Sequence, residues 1–153
     1  MNRSIGASRM QEAVDWARSR MSLEGPVGPC LAYSMVDAHG DFVAVVVLSD
    51  ISPQNACFHF AAKPGVRWFT KSFTREVFAY AFDVLNVSRL TGPIRGSNAR
   101  AQKIAEKFGF TLEGILRKSF PDGDDCVVYG FLDRKSTRLN SSHSQQSRMP
   151  SSA

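Results

Sequence analysis

Cysteine is scarce in this chain, and its spacing is unhelpful to any cross-link or metal. Cys30, Cys57 and Cys126 are odd in number and far apart, and no CxxC or HxxxH spacing occurs. That excludes a disulfide-built secreted scaffold and argues against a structural zinc site. Free thiols in a reducing compartment are expected, hence a cytoplasmic protein that holds no metal. Long hydrophobic runs are missing too. The longest, FVAVVVL at residues 42–48, has the length of a strand, not of a membrane span of about 20 residues. Residues 1–9 carry charge but are followed by no apolar segment or cleavage-like site, so no secretory signal is expected. No internal repeat is present.

What the chain does have is 153 residues with 43% hydrophobic content, enough for one domain with a real core. The net charge of +5 is concentrated at one end. Residues 133–153, DRKSTRLNSSHSQQSRMPSSA, are polar, serine-rich and aperiodic. DRKSTRLNSSH resembles the translation of a common sequencing adapter, and SRMPSSA resembles the downstream part of the same oligonucleotide in the same frame. We therefore expect a single domain over residues 1–132, cut short at its natural end, and a disordered non-native tail over 133–153. The tail holds one acid and four bases, a net of +3, which leaves +2 for the domain. A balance that small implies no nucleic-acid footprint.

The hydrophobic periodicity predicts an amphipathic helix over residues 8–21, opened by a capping box between Ser8 and Gln11 and broken by GPVGP at 25–29. Strands follow at 30–36, 42–48 and 56–62, the second apolar throughout and hence central. A long helix over 70–86 would bury Phe73, Val77, Tyr80, Ala81 and Val84. After a strand at 88–94 comes a helix capped by Ser97 or Asn98, with Ala101, Ile104, Ala105 and Phe108 on one face and Gly109 at its left-handed end. A final hairpin, 112–120 with 127–132, turns through PDGDD. The fold class is α/β in the α+β sense, with a mixed, mostly antiparallel sheet.

The stretch NARAQKIAEKFGFTLEGILR, Asn98 to Arg117, resembles the closing motif of the GNAT N-acetyltransferases, nearest the branch of ribosomal-protein N-terminal acetyltransferases. The order of elements is similar over residues 30–132, with the family's usual first strand not evident. The resemblance implies a sheet splayed between the family's fourth and fifth strands, with acetyl-CoA as co-substrate wedged into the gap. It implies backbone polarisation of the thioester near Ala61 or Ala62. It also implies a pyrophosphate held by the loop and helix start that contain Val66, Arg67, Trp68, Phe69, Thr70 and Lys71, although that loop has Gly65 alone where the family is glycine-rich. Asn98 would bond the pantetheine arm, with Ala101 beside it. Ala101 and Ala105 stand where relatives carry a Ser or Tyr that protonates the leaving thiolate.

The expected activity is transfer of an acetyl group to a primary amine by direct attack in a ternary complex. The alternative is a catalytically impaired module of the same fold that binds CoA or a protein partner. His59, on the strand beside the thioester, is the candidate base; Asp50, at a strand end, could do the same through water; a ring packed in the sheet and a turn cap are the structural alternatives for the two. The acceptor would be a small-molecule or peptide amine, and the acidic FPDGDD hairpin hints at a cationic one. No membrane or nucleic-acid partner is expected, and the protein would be a monomer or homodimer.

Overall fold

The computed structural model describes residues 2–21 and 28–134. Among these residues seven strands form one sheet in the order β1-β2-β3-β4-β5-β7-β6. They are β1 (Arg3–Gly6), β2 (Leu31–Val36), β3 (Phe42–Ser49), β4 (Asn55–Ala62), β5 (Arg89–Arg95), β6 (Thr111–Leu116) and β7 (Cys126–Leu132). Every neighbouring pair is antiparallel except β4 with β5. Helix α1 (Met10–Arg18) covers one face, while α2 (Lys71–Ala79) and α3 (Ala99–Phe108) cover the other.

The strand β3 is buried at every position, as its uninterrupted apolar run requires of a strand covered on both faces. Its alternate side chains feed two cores. Val46 and Leu48 join an aromatic layer with Phe58, Trp68, Phe73, Phe108 and Phe110 beneath α2 and α3. Val45 and Val47 join a thinner layer of small side chains, Ala13, Ala17, Ala32 and Ala61, beneath α1. Fully burying a Val or Leu side chain is worth about 1.5–3 kcal/mol, so this strand anchors both layers.

Four elements depart from the sequence reading. The strand β1, unforeseen, pairs with β2 from Arg3 opposite Val36; one exposed and three half-exposed residues, with Ile5 alone apolar, carry no periodicity to detect. The helix α1 begins at Met10, not residue 8. Its cap is Arg9 in a left-handed conformation (φ 53°) without a side-chain hydrogen bond, so the Ser8–Gln11 capping box does not form. The helix α2 gives way at Tyr80 to a π-helical turn, Tyr80–Val84. The extra residue per turn carries Phe82 inward and leaves Val84, expected in the core, 68% exposed. The last hairpin is shorter, since β6 stops at Leu116. The break expected at 25–29 falls mostly outside the described residues, as does the tail from residue 135. Asp133, assigned to that tail, is held to the sheet by its N–H, which donates to Ser88 O at 3.0 Å.

Candidate active site

The parallel pairing of β4 with β5 covers only Asn55–Arg89, Ala56–Leu90 and Cys57–Thr91, though both strands continue for five and four residues more. A physical cause lies in the backbone. Lys63 N–H donates to Val43 O, and Gly96 N–H donates to Asp125 O. Because a strand's N–H groups alternate in direction, the first bond turns the even-numbered N–H groups of β4 toward β5. The second turns the odd-numbered N–H groups of β5 toward β4. The next donor the parallel ladder needs after Thr91 is therefore residue 93, which is proline and has none. The strands part there. Phe60 and Ala62 are left with N–H groups facing the gap, whereas that of Ala61 points to β3 and its side chain is buried under α1.

The gap is a cleft of about 310 Å³ that runs through the sheet. Phe58, His59 and Phe60 form one wall, and Gly92 to Arg95 form the other. Asn98, Ala101 and Ala105 of α3 close one side, and Arg20 and Met21 at the end of α1 stand at the opposite side. Asn98 caps α3: its side-chain oxygen accepts from Ala101 N–H at 3.1 Å, so of the two expected caps it is Asn98 that serves. Gly109 ends the helix with φ 100°, a conformation that favours glycine, and Phe110 returns the chain to the sheet.

His59 lies on the α1 side of the cleft. Its Nε2 is 3.1 Å from Ser49 Oγ, and Ser49 Oγ is 3.3 Å from Asp50 Oδ2. Burial lowers the imidazole pKa below its ordinary value, partly opposed by the negative charge of Asp50. Asp50 itself is exposed at the strand end with φ 47° and does not line the cleft. Sequence reasoning missed Ser49, which is completely buried; a lone hydroxyl closing an apolar strand, two positions along from the residue opposite a histidine, was the available signal. Burial raises the Cys57 and Cys126 thiols, leaving neither activated.

The loop expected to hold phosphate stands apart from the cleft lining. Trp68 is turned inward, 7% exposed, with its ring 5.8 Å from Phe60 and 6.1 Å from Phe108 between centroids. Phe69 packs edge-on to Phe108 at 4.7 Å. Val66 leans on the same core. The bulk that replaces glycine in this loop is thus directed at the core, with Arg67 and Lys71 exposed. Thr70 Oγ1 accepts from Phe73 N–H at 3.1 Å, and the first turn of α2 carries no acid. The N–H groups of Lys71 and Ser72 have no partner within the helix, which suits an anion.

The acidic hairpin is less available than its sequence suggests. Asp122 and Asp124 pair with Arg95 at 2.8 and 3.4 Å, Asp124 also accepts from Ser97 Oγ, and Asp125 accepts from Lys118 N–H. Arg95 offsets part of the hairpin's negative charge, and Asp122 keeps 62% of its side chain exposed beside it. Among the described residues no three His, Cys, Asp or Glu side chains group as metal ligands, and no helix is long and apolar enough to cross a membrane.

The fold has counterparts among solved structures. A chimera of the Vibrio cholerae spermidine N-acetyltransferase SpeG with hSSAT superposes with a TM-score of 0.66 at 18% identity, over 91% of this chain and 98% of that one. The ribosomal-protein-S5-alanine acetyltransferase of Vibrio fischeri gives 0.59 at 16% identity, over 69% of this chain and 62% of that one. In sequence, protein gp14 of Salmonella phage P22 is 25% identical over 111 residues, 72% of this chain and 74% of that protein. The acetyltransferase (GNAT) domain profile matches residues 3–111. That match takes in β1, the parted strands and the whole of α3, and by it the chain belongs to the GNAT acetyltransferase family.

Proposed function

We propose that residues 1–132 form an acetyl-CoA-dependent N-acetyltransferase acting on a primary amine in a ternary complex, in the cytoplasm. The observation that carries this reading is the gap between β4 and β5, where two N–H groups and a half-buried histidine meet. Acetyl-CoA, when bound, supplies a thioester acetyl group. The Phe60 and Ala62 N–H groups are placed to hold the negative charge that develops on a carbonyl oxygen in the gap. Asn98 would reach the pantetheine arm with the side-chain N–H groups its capping role does not use. The α2 start with Lys71 and Arg67 would hold phosphate.

His59, kept neutral by its burial, takes a proton from the acceptor's ammonium. The freed amine forms the C–N bond as the C–S bond breaks, and the pair of electrons leaves on sulfur. Ala101 and Ala105 offer no hydroxyl to protonate that sulfur. A thiolate with a pKa near about 8.5 leaves without help. The same two alanines favour a second reading, a module that binds CoA without turnover.

Calorimetry with acetyl-CoA, then CoA release in the presence of a panel of primary amines, separates these. Binding with release is expected, and His59→Gln should cut release by about 10²–10⁴-fold with binding intact. Binding without release from any amine would support the module. Neither binding nor release would remove both readings.

A further inference from the structure

We infer that Ser49 is a positioning residue that couples Asp50 to His59, fixing which ring nitrogen faces the acceptor. The inference rests on the reading of His59 as the base and adds what sets its state.

The argument is one of hydrogen accounting. An ionised Asp50 can only accept, so the 3.3 Å contact to its Oδ2 takes the single proton of the Ser49 hydroxyl. Ser49 Oγ can then meet His59 Nε2, 3.1 Å away, only as an acceptor. The opposite assignment would spend the hydroxyl proton on Nε2 and set two lone pairs against each other at Asp50, a cost that a completely buried serine would bear in full. Neutral His59 is therefore the Nε2–H tautomer, with its lone pair on Nδ1. When Nδ1 takes the ammonium proton, the new positive charge is met by a serine oxygen already polarised toward a carboxylate, and no proton leaves Nε2.

Pleat and register explain the arrangement. His59 stands opposite Val47 and Ser49 opposite Cys57, so Ser49 lies diagonally from His59 on the α1 face. The groups around the ring are few. Ser49 and Asp50 face it from β3 and the turn after it, and Cys57 is its neighbour on that face of β4. Arg20 from the end of α1 and Arg95 from β5 line the same cleft, Arg95 being paired with Asp122 and Asp124. Asp50 is the one carboxylate in that set, and Ser49 is its contact with the ring.

The test is nitrogen-resolved NMR titration of the imidazoles in the full chain, His59 being identified by the signal lost in His59→Gln. The wild-type ring should show Nε2–H when neutral. Ser49→Ala should lower the His59 midpoint by about 0.5–1 unit, because the imidazolium loses its acceptor. Asp50→Asn should lower it in the wild-type background and less in the Ser49→Ala background, where only the charge acting through space remains, and Ser49→Thr should restore the midpoint. An Nδ1–H tautomer in the wild type, an unmoved midpoint in Ser49→Ala, or equal effects of Asp50→Asn in both backgrounds would each overturn the coupling. The wild-type tautomer decides the matter even if Ser49→Ala fails to fold. Loss of CoA release in His59→Gln beside an Nδ1–H tautomer would end the coupling and keep the base. Undiminished release in His59→Gln would end the base and leave the titration to judge the coupling.

Discussion

The strand β4 has two neighbours and treats them differently. Against β3 it pairs without interruption from Cys57 opposite Ser49 to Ala62 opposite Ala44. Against β5 it pairs for three residues and then parts. The closed seam is made of side chains that ask nothing of the backbone, Val45, Val46, Val47 and Leu48, each at most 1% exposed. The open seam contains Gly92 and Pro93, one without a side chain to pack and the other without a proton to donate. Stability therefore concentrates on one side of β4 and the candidate site on the other, and His59, the proposed base, receives its partner from the stable side. A rigid seam is the natural place from which to hold a base, since a ring that must stay within hydrogen-bond reach gains from a neighbour that does not move.

The closed seam breaks most severely in the core. Leu48→Ala, at a site with no solvent access to fill the void, should cost about 2–5 kcal/mol in chemical denaturation. The protein that remains folded should keep its acetyl-CoA affinity. A cost below about 1 kcal/mol would mean that β3 is not the anchor both layers depend on.

The difference between the seams also separates what could be read from the sequence. The run 42–48, the Asn98 cap, the 3.6-residue stripe of α3 and Gly109 declare themselves locally, and the structure places them where their periodicity and capping chemistry put them. The strand β1 does not, because its pairing with β2 is decided by residues some thirty positions away. Likewise, nothing in Tyr80 to Val84 marks the π turn that expels Val84. The candidate site was half legible. His59 and Asn98 could be named, but Ser49 gains meaning only from the diagonal geometry of two paired strands. The gap-facing N–H groups of Phe60 and Ala62 need the direction of the Lys63 bond to be known. Pro93 was visible as a residue that a central strand should not contain, a clue to the parting that only the sheet order completes.

On the open side, Asn98→Ala should act twice. Loss of the cap to Ala101 N–H should lower stability by about 1 kcal/mol. Loss of the amide should raise the KM for acetyl-CoA while leaving the acceptor's KM near its original value. An unchanged acetyl-CoA KM would leave Asn98 as a cap alone.

Pro93→Ala sharpens the comparison by offering the ladder its missing donor. The new N–H faces Phe58 O by the alternation described above, and a net hydrogen bond is worth about 0.5–1.5 kcal/mol. The expected result is a slowly exchanging amide at position 93 with acetyl-CoA affinity reduced several-fold. A freely exchanging amide and unaltered affinity would show that something other than the proline holds the strands apart.

The smallest effect is a pH dependence of stability, and its sign follows from burial. The His59 pKa is lowered in the folded protein, so the unfolded chain binds the proton more readily. Stability from keeping the ring neutral is complete above the unfolded value of about 6.5 and drains away as pH falls through it toward the lower folded value. Asp50 opposes the desolvation and narrows that window. In His59→Gln this portion of the acid destabilisation should vanish, so the mutant and wild-type curves, apart at pH 8 by a constant, should draw together or cross as pH falls below about 6.5. Parallel curves across that range would mean that the ring is protonated as easily in the fold as in water, and a base so placed would have no advantage over one on the surface.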